Sequence, residues 1–166
     1  MNQPDTIFAI DPGPIQSAFV RWDGERIIER SIWRNADLLS RLGGGFNDAD
    51  VLLVEMVENY GKPAGKDLFE TAVMVGAFMN AGAGMAGRFR VLRRTVKYWH
   101  CRTMKAGDAE IRAALIGKLG EPGTKDKPGA TYGVARDIWA ALALAVYWTE
   151  CEEQQRKVFE YERQAA

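Results

Sequence analysis

The stretch Thr6–Gly24, TIFAIDPGPIQSAFVRWDG, decides the fold. Its opening run is apolar and ends in an acid, Asp11, and Asp-Pro-Gly-Pro then forces a turn, because proline fixes φ and glycine permits positive φ. Ser17–Trp22 alternates towards Asp23-Gly24, a strong hairpin dipeptide, and Arg26–Trp33 returns with β-branched residues. Three antiparallel strands are expected to open the chain.

Outward from this hairpin, Asn35 is placed to cap a short helix through Arg41, with Gly43–Gly45 ending it. Val51–Val57 is apolar except for Glu55 and reads as a buried fourth strand. Leu68, Ala72, Val75 and Met79 at helical spacing predict a helix from Asp67 to about Ala81, stopped by AGAGMAG. Phe89–Leu92 reads as a fifth strand, and Asp108 as the cap of a helix over Ala109–Leu119. Glu121–Thr131, EPGTKDKPGAT, reads as a mobile loop. From Gly133 to at least Trp148 the chain is apolar apart from Arg136 and Asp137, then charged through EEQQRK, predicting a last helix buried first and exposed later. Strands first, then helices alternating with strands, indicate an α/β domain with a mixed sheet.

At 166 residues and 47% hydrophobic, the chain suits one domain over 1–166. It holds no run of about 18 apolar residues and no secretory signal at its start, so the expectation is a cytoplasmic protein with no membrane partner. Cys101 and Cys151 are expected to be free thiols. The formal net charge is +0, yet Arg88–Lys127 carries eleven basic residues against four acids, and residues 1–60 carry five against ten. A basic stretch that meets phosphates beside an acidic region that holds cations is the division expected of a metal-dependent nuclease; a merely solvated charged face is the alternative.

Three carboxylates fall where a core should be: Asp11, Glu55 and Asp137. Each alone has a plain reading, as a turn acid, an ion-paired acid, or a partner of Arg136 or Lys97. A buried carboxylate needs a cation or a hydrogen-bond network, and one shared divalent metal would serve all three.

The ordered set IDPG, VEMVENYG and the late DIWAALALAVYW resembles the RuvC-type Holliday junction resolvases of the ribonuclease H-like superfamily across nearly the whole chain. Arg94-Thr-Val-Lys97 is similar to the family's Arg-x-Val-Lys segment, whose lysine assists phosphate chemistry. LFETAVMVGAF and DIWAALA look closest to the shorter phage or prophage branch, which implies a protein of a bacterial host cytoplasm. The resemblance implies a ribonuclease H-like fold with a mixed five-stranded sheet flanked by helices. It also implies two Mg²⁺ or Mn²⁺ ions on Asp11, Glu55 and Asp137, with Lys97 as the fourth catalytic residue and Lys105 a weaker candidate for its task. One departure matters: the family places a fourth acid where Ala140 stands. Glu58, Asp108 or a water could take its place.

The implied partners are branched DNA, above all four-way junctions, and a second copy of the chain in a C2 dimer. Trp33, Phe69 and Phe78 are read as core rather than dimer face. Lys62, Lys66, Arg93, Arg94, Lys97, Arg102 and Lys105 are the candidate DNA contacts, the later ones interleaved with Tyr98, Trp99 and His100; His100 is read as structural. Gly61–Asp67, GKPAGKD, sits where a P-loop would, but lacks one spacer and has Asp67 in place of the hydroxyl. An actin- or hexokinase-like ATPase could also begin with a strand carrying Asp11, but that fold needs two such domains, and length argues against it. The rival function is a junction-binding or scaffolding protein that has lost cleavage, with Ala140 as its support; cleavage of flaps and forks is a third reading.

Overall fold

The computed structural model describes residues 6–44, 51–59 and 61–165, with side chains of the last helix described as far as Glu152. In chain order the elements are β1 (Ile7–Asp11), β2 (Gln16–Trp22), β3 (Ile27–Arg34), α1 (Asn35–Gly43), β4 (Val51–Met56), α2 (Lys66–Ala81), β5 (Gly87–Leu92), α3 (Arg93–Cys101), α4 (Asp108–Leu119) and α5 (Ile138–Ala165). They form the expected mixed five-stranded sheet flanked by helices, in the order β3-β2-β1-β4-β5. β2 runs antiparallel to both β1 and β3; β4 lies parallel beside β1, and β5 parallel beside β4.

Alternation along each strand divides the core in two. Phe8, Ile10, Phe19, Leu52 and Val54 face α1 and α2, with Phe8 stacked on Phe19 at 5.0 Å between ring centroids and Trp33 edge-on to Phe19 at 5.1 Å. Ile7, Ala9, Ala18, Val20 and Leu53 face α3, α4 and α5. On that side the buried alanines of the sheet meet Ala141, Ala143 and Ala145 of α5, and small side chains on both surfaces let the helix lie close across β1 and β2. Trp22 Nε1 donates to Thr149 Oγ1 at 3.2 Å and ties the helix to the end of β2.

Several local expectations are corrected. The last helix begins at Ile138, not Gly133, because Gly133 and Arg136 adopt left-handed backbone (φ 75 and 51) that a right-handed helix excludes. Asn35 caps nothing. It is buried, accepts from Ser17 Oγ at 2.7 Å and donates to the Gly13 carbonyl at 2.9 Å, so it pins the β1–β2 turn. Gly13 is required there, since a Cβ would stand 2.5 Å from the Gln16 carbonyl oxygen. Gly107 takes the cap position of α4, its N–H bonded by Glu110, and Asp108 becomes the first helical residue.

The loop after α4 is closed by its own bonds, Gly129 N–H to the Pro122 carbonyl at 2.8 Å and Thr131 Oγ1 to the Gly120 carbonyl at 3.0 Å. Cys101 and Cys151 are free. No helix among the described residues is long and apolar enough to cross a membrane. Gly45 and most of the charged side chains after Trp148, on which further expectations rested, lie outside the described residues.

Candidate active site

Strand parity builds the site. Asp11 continues the face of Ile7 and Ala9, and Glu55 the face of Leu53, so both turn towards α3, α4 and α5. Ile10 pairs with Val54 in parallel register, which leaves Asp11 and Glu55 as neighbours at the C-terminal ends of adjacent parallel strands. Ligands of open α/β sheets bind at such ends. Asp137 comes to the same place from the other side, at the N-terminal end of α5, where the helix dipole favours an anion. It is exposed, not buried along the helix as expected, because the left-handed backbone at Arg136 holds the helix start back to Ile138 and leaves Asp137 just before it.

All three acids line one cavity of about 640 Å³ together with Asp108. Arg93 and Lys97 from α3, Arg112 from α4 and Arg136 complete its charged wall, while Val96, Ile111, Ile116, Trp139 and Ala140 make it apolar on the inner side. Burial pushes the Asp11 carboxyl up to about 7, with Arg93 pulling it down and Asp137 and Asp108 pushing it further up. Burial, then the charge of Asp11, pushes Glu55 up to about 8, against the pull of Arg93 and Lys97. The site concentrates negative charge that the surrounding protein only partly neutralises.

Arg93 supplies much of that neutralisation. It follows β5 directly, and because Val91 pairs with Glu55, its side chain reaches back across the sheet edge. Nη1 stands 3.3 Å from Glu55 Oε1 and Nη2 3.2 Å from Asp108 Oδ1. Glu55 is thus both a cavity acid and the ion-paired acid of its plainer reading. Lys97 lies one helical turn beyond Arg93 and faces the same cavity.

The donor set suits a hard divalent cation: oxygen ligands only, two of them from carboxylates held side by side, Glu55 buried and Asp11 half-buried. As the side chains stand, no three His, Cys, Asp or Glu groups among the described residues are gathered closely enough to grip one ion. Asp11 and Glu55 are the pair that would hold it, with Asp137 at the mouth.

The remaining candidates fall elsewhere. Glu58 is taken by Arg94, at 2.8 Å, and does not line the cavity. Lys66 pairs with Glu70 at 3.4 Å, and Lys62 and Lys105 are exposed outside the cavity. Arg102 ends α3 in left-handed conformation with its guanidinium 6.0 Å from the Trp99 ring centroid. His100 is structural as read: it bonds the Ala143 carbonyl through Nε2 at 2.8 Å and meets Lys118 Nζ through Nδ1 at 3.2 Å, and burial lowers its pKa. Lys118 in turn holds Glu150 at 2.7 Å.

Sequence reasoning missed Arg112 and Arg136. Arg112 stands four residues after Asp108, hence on the same helix face, and its guanidinium lies 5.4 Å from the Trp139 ring centroid. Arg136 is the immediate neighbour of a candidate ligand. Both signals were in the sequence.

No known family profile matches the chain, and no curated protein does. Solved structures do match in fold. Thermus thermophilus RuvC is 17% identical with a TM-score of 0.57, the match covering 85% of this chain and 91% of that one. T. thermophilus RuvC in complex with Holliday junction substrate gives 16%, 0.61, and 86% and 91% coverage. The yeast mitochondrial Holliday junction resolvase Ydc2 gives 10%, 0.65, and 98% and 87%. The chain therefore has the ribonuclease H-like fold that these resolvases share, over almost its full length.

Proposed function

We propose that this chain is a metal-dependent endonuclease of the RuvC type that cleaves Holliday junctions or related branched DNA. The observation that carries the reading is the meeting of Asp11, Glu55 and Asp137, from two parallel strands and a helix start, in one cavity walled by Arg93, Lys97, Arg112 and Arg136. Carboxylates for a cation beside cations for a phosphate fit phosphodiester hydrolysis. The fold match to RuvC and to Ydc2, both described with Holliday junctions, supports the choice of substrate.

In this reading Asp11 and Glu55, with Asp137, hold Mg²⁺ or Mn²⁺, as one or two ions, which when bound supply an activated water and neutralise charge on the phosphate. Lys97 contributes a fixed positive charge to the transition state from inside the cavity wall. Arg112 and Arg136 hold the flanking backbone at the rim. The apolar inner wall of Val96, Ile111 and Trp139 limits bulk water behind the carboxylates.

The chain works as a symmetric dimer, since a four-way junction presents two equivalent strands. The pairing surface is the outer stripe of α2, where Phe69 is 63% and Val73 70% exposed. This corrects the core reading of Phe69; Phe78 is fully buried and Trp33 packs on Phe19. The chain belongs with the phage or prophage branch and acts in the cytoplasm of a bacterial host.

The test is incubation with a synthetic four-way junction and a linear duplex, in Mg²⁺, Mn²⁺ or EDTA, beside Asp11→Asn and Asp137→Asn. Paired metal-dependent nicks near the crossover, lost in both variants, are the expected result. Tight junction binding without cutting in either metal transfers the protein to the scaffolding reading, which Ala140 in the cavity wall favours. No preference for the junction removes both.

A further inference from the structure

Arg93 differs from the other cations of the cavity wall in what it touches. Its two terminal nitrogens are shared between a buried acid of the sheet, Glu55, and an exposed acid at the start of α4, Asp108, whose side chain is 89% exposed. Each acid receives one nitrogen, at 3.3 and 3.2 Å. Charge-assisted bonds at full strength run to about 2.7–2.9 Å, and both of these contacts are longer. The Arg93 side chain itself is 35% exposed, which leaves it a way outwards.

We propose that Arg93 is a built-in occupant of the cation position beside Glu55, displaced when a divalent ion binds, and that it thereby sets the metal affinity of the site. The inference rests on the metal-dependent reading above. A guanidinium and a divalent ion on the same Glu55 oxygens repel each other, so the ion is favoured only when Arg93 withdraws. Asp108 gives it somewhere to go. In this arrangement Asp108 is the outer anchor of Arg93, not the missing fourth ligand, which accounts for an exposed acid standing at the edge of the cavity. Arg93 is therefore a positioning residue: it partly neutralises Glu55 until a metal takes its place.

The experiment is calorimetric titration of MnCl₂ into the DNA-free, metal-free full chain, at a pH above the raised values of both carboxyls, for wild type, Arg93→Gln and Arg93→Lys. Circular dichroism verifies the fold of each. Arg93→Gln should bind Mn²⁺ roughly tenfold more tightly than wild type, while Arg93→Lys, which keeps the competing charge, should stay within about threefold of it. A purely structural Arg93 predicts the opposite, unchanged or weaker binding in a folded Arg93→Gln, and that result overturns the proposal. Should Arg93→Gln not fold, the side-chain Nε–H resonance of Arg93 in wild type, assigned by its loss in Arg93→Lys, is followed during Mg²⁺ addition. A shift supports displacement, and a resonance that stays in place while Mg²⁺ binds refutes it. If wild type and Arg93→Gln both fail to bind Mn²⁺, the metal-dependent reading itself falls and this inference with it; loss of the inference alone leaves metal binding intact.

Discussion

Asp11 and Glu55 stand side by side on one face of the sheet, one residue beyond the paired Ile10 and Val54 of two parallel strands. Two carboxyls held this close and this far from water favour their neutral forms, and both are raised towards neutrality for that reason. The arrangement costs stability in the absence of a cation. Asp11→Asn should accordingly raise the melting temperature of the metal-free protein near pH 8 by several degrees, while lowering metal-dependent junction cleavage by roughly 100-fold or more. Differential scanning fluorimetry in EDTA and a nicking assay read the two effects; a variant that is both less stable and active contradicts the assignment.

The same pair fixes how stability responds to pH. Both groups have folded pKa values above their ordinary ones, so the folded chain binds more protons than the unfolded chain between about pH 4 and 8. The contribution of these groups is fully present at the acid end of that window and is lost as pH rises through about 7 and then about 8. In EDTA the denaturant midpoint should fall across this range, beyond what Asp11→Asn shows. With saturating Mg²⁺ the fall should vanish, because metal binding requires the deprotonated acids.

Ala140 lies one helical turn after Asp137 and lines the cavity. An acid at this position would add an oxygen donor on the inner side of the site. Ala140→Asp should therefore strengthen Mn²⁺ binding several-fold and lower the melting temperature in EDTA, an effect of opposite sign in the two conditions. Weaker binding in calorimetry would show that the cavity wall has no room for a further ligand.

The exposed stripe of α2 gives a separable prediction about assembly. Val73→Glu places a charge on a side chain that is 70% exposed and outside the core, so its effect on the fold of a single chain should be within about 0.5 kcal/mol. Analytical ultracentrifugation should show wild type as a dimer and the variant as a monomer, with unchanged circular dichroism. A variant that remains dimeric places the pairing surface elsewhere.

The opening hairpin was legible in the sequence from alternation and a turn dipeptide, and the buried fourth strand with its single acid from a continuous apolar run. Glu55 could be singled out as one charge in an otherwise apolar run; that it stands beside Asp11 follows from the parallel pairing of β4 with β1. Asp137 was found for the wrong reason. Its apolar neighbours suggested burial along a helix, but the left-handed turn at Arg136 is an arginine in a conformation usually reserved for glycine or asparagine, and composition does not announce it. Arg93 pairing with Glu55 and Asp108 depends on how a strand end, a helix start and a neighbouring strand meet in space, which no spacing rule encodes. Phe69 and Phe78 are chemically identical and on one helix, yet one is exposed and the other buried, because only the packing of α1 and β4 against α2 decides which side is inside.

The helix that presents Asp137 to the cavity is also the helix whose alanines fill the space above β1 and β2. The position of Asp137 and the packing of the core are thus carried by one helix. A methyl group added at the fully buried Ala141 or Ala145 would push the helix off the sheet and shift the carboxylate at its start. Drift in the most ordinary residues of the interior would therefore reach the cavity as well as the core.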